Sequence, residues 1–234
     1  MTLDDQLSFH DYRMRTGRGG PRPGAGRPRM RRGARRPAHT RRPRHSRHRP
    51  VHATIRVRRG IPSLRSRGFL REFRRSLREL RRREGFRVCQ YSVQANHLHL
   101  VVEADGREAL SSGMKALGAR VARAVNRVFR RSGSVLAERC HLRALRTPRE
   151  VRAALAYVLL NARKHAWERW RRTPRPGLDA ASSALSFDGW KRGVRLAEGS
   201  AEVREPEVSA ARSWVLRSGW RRHALIDPGE VPGR

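Results

Sequence analysis

The chain has 234 residues, 55 Lys and Arg against 20 Asp and Glu for a formal charge of +35, and only 37% hydrophobic residues. That suits one compact domain with tails better than two full domains, and the positive surplus calls for a polyanionic partner, nucleic acid above all. No stretch approaches 18 apolar residues, the start carries Asp4 and Asp5 rather than a basic leader, and two cysteines, Cys89 and Cys140, make neither a disulfide framework nor a zinc ribbon.

From these features we expect a soluble, cytoplasmic protein with no membrane partner. Lys115, Lys164 and Lys191 are the only lysines, so the charge is almost all arginine, whose planar fork suits phosphate and guanine. Residues 1–50 carry +12, and residues 13–50 hold six prolines and almost no large apolar side chain. Such a segment cannot bury enough surface to offset its chain entropy, which predicts a disordered basic arm over 1–50. Within it Gly24-Ala25-Gly26-Arg27-Pro28-Arg29 is similar to hooks that lie in a narrow minor groove, with Arg27 and Arg29 as DNA contacts. A solvated tail without groove preference is the other reading.

Order begins at Val51. Val51, Ala53, Ile55 and Val57 alternate with polar residues and predict a first strand. Phe69, Leu70, Phe73, Leu77 and Leu80 recur at helical spacing among arginines and predict an amphipathic helix ending at Gly85. Phe86 to Val93 and Asn96 to Glu103 read as a hairpin around Gln94-Ala95. Arg107 to Arg131 carries a 3.6-residue apolar period, Cys140 to Leu145 reads as a short strand, and Thr147-Pro148-Arg149-Glu150 opens a helix expected to reach at least His165. The order β-α-β-β-α-β is the ferredoxin-like split βαβ pattern, an α+β fold with an antiparallel sheet, helices on one face, and a closing helix. We place this domain at 51–170 and assign no structure to a C-terminal extension, 171–234, with scattered Trp190, Trp214 and Trp220.

Alternation on the third strand puts Leu98, Leu100 and Val102 on one face and His97 and His99 on the other. Two imidazoles projecting side by side can reach one divalent ion. On the closing helix, taken as continuous at 100° per residue, Tyr157 and Asn161 share a stripe away from the apolar face formed by Val151, Leu155, Val158 and Leu159. A phenol beside a metal can attack a phosphodiester. Lys164 and His165 lie a turn further along that stripe and are candidates for the scissile phosphate, or a basic helix end suited to the dipole. His52 and His141 are placed as phosphate contacts or surface residues.

Gln94 to Val102, with its His97-Leu98-His99 core, followed 58 residues after His99 by Tyr157-Val158-Leu159-Leu160-Asn161, resembles the HUH single-tyrosine transposases, in particular the REP-associated tyrosine transposases. The resemblance covers roughly residues 51–168. It implies Mg²⁺ or Mn²⁺ held by His97, His99 and Asn161, with Tyr157 as the nucleophile that forms a 5′-phosphotyrosine and leaves a free 3′-OH. It also implies a homodimer acting on single-stranded DNA with hairpin-forming ends, in a prokaryotic, nucleoid-associated setting. Asn96 and the Arg139-Cys140-His141 turn are similar to the family as well, although members commonly carry an aromatic where Cys140 stands. Two other functions fit the composition: a non-catalytic basic nucleic-acid-binding protein that keeps the fold, and a metal nuclease that activates water and uses Tyr157 only for positioning.

Overall fold

The computed structural model describes residues 45–170, 177–191 and 206–233. The basic arm up to residue 44, with Arg27 and Arg29, lies outside the described residues.

Four strands, β1 (Val51–Arg56), β2 (Phe86–Val93), β3 (His97–Ala104) and β4 (His141–Ala144), form one antiparallel sheet in the order β2-β3-β1-β4. Helix α1 (Arg67–Arg81) joins β1 to β2, and α2 (Arg107–Val128) joins β3 to β4. This is the expected split βαβ topology. Both crossover helices pack on the same sheet face, where the alternate residues Val51, Ala53 and Ile55 of β1 and Leu98, Leu100 and Val102 of β3 meet Phe69, Phe73, Leu77, Leu117 and Val121. Ser66 caps α1 by accepting from the Phe69 N–H, which orients its apolar stripe onto the sheet from the first turn.

Strand β2 does not alternate evenly. Val88 pairs with Val102 but Gln90 with Val101, so Cys89 is an extra residue in the strand. The bulge lets Phe86 and Val88 before it, and Tyr91 and Val93 after it, all face α1 and α2. Cys89 itself joins a second core on the opposite face with Val101.

That second core sits under the closing helix, and here the structure departs from the expected single helix. Helix α3 (Pro148–Leu159) begins at a complete capping box, in which the Thr147 hydroxyl accepts from the Glu150 N–H and the Glu150 carboxylate accepts from the Thr147 N–H. It stops at Leu160, whose φ of −108° and ψ of 17° leave the helical region, and α4 (Asn161–Trp170) starts immediately after. The Leu160 carbonyl accepts from both Arg163 N and Lys164 N, which opens the new helix.

The C-terminal residues are not a separate body. Residues 181–183 bind the outer edge of β2: Val93 N donates to the Ala181 carbonyl at 2.8 Å and Tyr91 N to Ser183 Oγ at 2.9 Å. Beyond a short helix, α5 (Trp214–Arg217), Trp220 is 1% exposed and packs with Phe187, Leu155 and Ile226 over the tyrosine-bearing face. Arg152 on α3 makes a two-pronged ion pair with Glu230, at 2.9 and 2.7 Å. Glu103, on β3 and 1% exposed, accepts from Arg212 N, Ser213 N and Ser213 Oγ at 2.6–2.9 Å and faces Arg87. A buried carboxylate satisfied by three donors is a clamp between β3 and this segment. Glu103→Ala leaves those donors unpaired and Arg87 with Asp105 alone, and chemical denaturation should show a loss of about 3 kcal/mol, with residues beyond 206 becoming the first site of limited proteolysis.

Candidate active site

The β1–β3 register places Thr54 opposite His99 and Arg56 opposite His97, so all four side chains share the sheet face turned toward α3. His52, two residues before Thr54, stands diagonal to His99 on that face. Across β1 on the other side, Thr54 pairs with His141 and His52 with Arg143.

The two imidazoles of β3 converge. His97 Nε2 and His99 Nε2 are 3.0 Å apart, with the rings at 85°. Behind them each ring has its own support. His97 Nδ1 donates to Asn96 Oδ1 at 2.7 Å, which leaves the Nε2 lone pair free. His99 Nδ1 lies 3.2 Å from both Thr54 Oγ1 and His52 Nε2. A hydroxyl can donate or accept, so either tautomer of His99 is satisfied there.

Burial keeps these rings neutral. Desolvation, helped by neighbouring cations, pulls His97 and His52 down to about 4 and His99 to about 3. For His97 the cations are His165 and Arg56, and for His52 they are Arg143 and His141. Neutral imidazole is the form that binds metal.

Helix α3 brings Tyr157 to the same point. Its hydroxyl is 3.5 Å from His99 Nε2, and its ring stands edge-on to both His99 and His52. Lys164 and His165, on α4, also arrive. Lys164 Nζ is 4.8 Å from the centre of the Tyr157 ring, and the His165 ring centre is 6.3 Å from that of His97. His165 and Lys164 are both tied to Glu168, at 3.1 and 3.7 Å.

Asn161 is placed differently from the expectation. The angular projection assumed one continuous helix, and the break at Leu160 invalidates it. Asn161 is fully buried, and both its amide oxygen and nitrogen lack a hydrogen-bond partner. His141 is exposed and shares the sheet face of His99, across β1 from it.

Two clefts, each of about 480 Å³, flank the centre. One, beside Tyr157, is lined by His52, Arg143, Arg149 and Glu150 and by Pro232 and Gly233 of the C-terminal segment. The other, beside His97, is lined by Arg65, Asn96, His165 and Arg169. Sequence reading did not single out Thr54, Arg65, Arg143 or Arg149. For Thr54 and Arg143 the only signal was strand register, which one sequence does not carry.

Residues 50–139 match the family described as Transposase IS200 like. This part of the chain is similar to the IS200-like transposases. The match takes in His97 and His99 and ends before Tyr157. No curated protein matches the sequence. Among solved structures, a REP-associated tyrosine transposase bound to a REP hairpin is similar over 62% of this chain and 82% of its own, at 16% identity and a TM-score of 0.50. That likeness is one of fold. Among the described residues no helix is long and apolar enough to cross a membrane.

The donor set at this centre fits a hard divalent cation in part. For metal–ligand distances of 2.0–2.1 Å, adjacent corners of an octahedron are about 3.0 Å apart, which matches the spacing of the two Nε2 atoms. Among the described residues no third His, Cys, Asp or Glu joins them, so the remaining positions fall to water, phosphate oxygens or an amide. Asn96→Ala removes the partner that fixes the His97 ring. Calorimetric titration with Mn²⁺ should show affinity weakened about tenfold, with unchanged thermal unfolding of the metal-free protein.

Proposed function

We propose that the protein is a metal-dependent endonuclease and strand transferase that acts on single-stranded DNA with Tyr157 as nucleophile. The observation that carries this reading is the convergence of Tyr157 Oη and His97 Nε2 on His99 Nε2, at 3.5 and 3.0 Å. The Tyr157 oxygen attacks the scissile phosphorus, the bond from phosphorus to the 3′ oxygen breaks, and the products are a 5′-phosphotyrosine and a free 3′-OH. Each exchange conserves one phosphodiester, so no nucleotide cofactor is required.

His97 and His99 would hold Mg²⁺ or Mn²⁺, with Asn161 as the third ligand implied by the family resemblance. The ion supplies Lewis acidity to the non-bridging oxygens of the phosphate. Asn96, Thr54 and His52 keep the two rings in place. Lys164 sets an ammonium over the ring that carries negative charge as the oxygen attacks. Arg143 and Arg149 on one side, and Arg65 and Arg169 on the other, give the strand positive surroundings before and after the scissile phosphate. Hairpin-forming ends as substrate, and a homodimer as the working unit, complete the reading.

Incubating the protein with a 3′-end-labelled hairpin oligonucleotide bearing an unpaired flank, with Mn²⁺, should give a denaturation-resistant adduct. Tyr157→Phe keeps the ring and should abolish it. Cleavage without adduct in the unmodified protein would favour water activation. Binding with neither product would favour a non-catalytic DNA-binding role.

A further inference from the structure

One turn of the C-terminal segment grips both helices that flank the break at Leu160. The Glu230 carboxylate accepts from Arg152 on α3 at 2.9 and 2.7 Å, and the Gly229 carbonyl accepts from Arg163 Nε on α4 at 3.1 Å. The turn is itself tied down. Glu230 N donates to the Asp227 carbonyl at 3.0 Å and Gly229 N to Asp227 Oδ1 at 2.7 Å. Just before it, the buried Ile226 donates to the Gly189 carbonyl at 3.1 Å and accepts from Lys191 N at 2.8 Å.

Nothing local calls for the bend between α3 and α4. It leaves Asn161 buried with neither amide atom partnered, a cost in free energy that contacts from elsewhere in the fold have to offset. The bend also governs a contact at the candidate active site. Lys164 Nζ, on α4, stands 4.8 Å from the centre of the Tyr157 ring, on α3. In an unbroken helix residues seven apart are separated by about 10 Å along the axis, so this contact depends on the angle at which the second helix leaves the first.

We infer that Arg152 and Glu230 are positioning residues for the Tyr157 reaction. Their ion pair, with the bond from Arg163 to Gly229 beside it, sets the angle between α3 and α4 and so holds the Lys164 ammonium over the tyrosine ring. Neither residue lines the clefts beside the centre, and both act through Lys164. The consequence for catalysis rests on the function proposed above, whereas the control of the helix angle does not. Misplacing a group at a reacting centre by about 1 Å can cost about 10²-fold in rate, so loosening the brace should register in the chemical step and not in DNA affinity.

The test follows adduct formation by the full-length protein on the hairpin oligonucleotide with Mn²⁺ in single turnover. Unmodified protein is compared with Glu230→Gln, Lys164→Met and the double variant. Glu230→Gln should slow the rate constant at saturating DNA about tenfold and leave the half-saturating DNA concentration within twofold. In the Lys164→Met background the same substitution should cost less than about twofold, because the group through which it acts is gone. Arg152→Lys keeps the charge and loses the fork, and should slow the step about threefold.

The geometry is read apart from catalysis by NMR of protein labelled with ¹³C-lysine. The chain has only Lys115, Lys164 and Lys191, and the first and last are exposed. The ε-methylene signal of Lys164, identified by its loss in Lys164→Met, should therefore lie upfield of the others through the ring current of Tyr157, and Glu230→Gln should move it toward them. An unmoved lysine signal overturns the inference. So does an unchanged or faster rate, a loss confined to DNA affinity, or an equal loss in the Lys164→Met background. Absence of adduct from the unmodified protein would count against the tyrosine mechanism, and the lysine signal would then decide by itself whether the turn sets the helix angle.

Discussion

The antiparallel register between β1 and β3 is the constraint from which the rest of the molecule follows. It sets Ala53 against Leu100 and Ile55 against Leu98 on the helix-packed face, and in the same stroke sets Thr54 against His99 on the other. A slip of one residue would drive two imidazoles into the core and push leucines outward, which no local adjustment could repair. The apolar pairs thus fix the polar ones. The position of His99, and the contacts of Thr54 and His52 behind its Nδ1, come from the same hydrogen-bond ladder that makes the sheet.

On that frame the protein sets an uncharged centre inside a highly charged shell. The rings of His52, His97 and His99 are neutral through burial and through the cations around them. The same cations that repel protons from the rings attract phosphate. A proton brings one positive charge to imidazole and nothing more, whereas a divalent ion arriving with a phosphodiester brings its own counter-charge, so the surroundings discriminate between the two. Placing Tyr157 on a helix braced from behind by Trp220 and Glu230, not on the sheet, keeps its hydroxyl near His99 without competing for the strand positions that hold the rings.

Much of this was legible in the chain. The alternation of β1 and β3, the helical period of α1 and α2, and the capping box of α3 are local signals, and the structure realises each of them. The His-Leu-His run and a tyrosine on a helix were readable for the same reason, since strand and helix periods dictate where their side chains point. What was not legible depends on contacts distant in sequence. Nothing in Leu159-Leu160-Asn161 marks the break at Leu160, so the projection carried Asn161 onto a stripe away from the apolar face when it is buried. The bulge at Cys89 hides inside a strand that is buried along almost its whole length. The docking of residues 181–183 and 212–213 follows from the edge of β2 and from a buried glutamate on β3, neither of which is visible near Trp214 or Trp220.

The bulge at Cys89 also bears on how such chains can diverge. Because one supernumerary residue lets β2 serve two cores at once, the strand is a place where length and composition are coupled. A descendant that lost the residue would have to exchange apolar and polar positions along half the strand in step, whereas the loops after β1 and α2 can lengthen freely. Gaps in comparisons between this chain and distant kin should therefore gather in those loops and spare β2. Where one does fall in β2, it would mark a lineage that rebuilt the layer under the tyrosine helix.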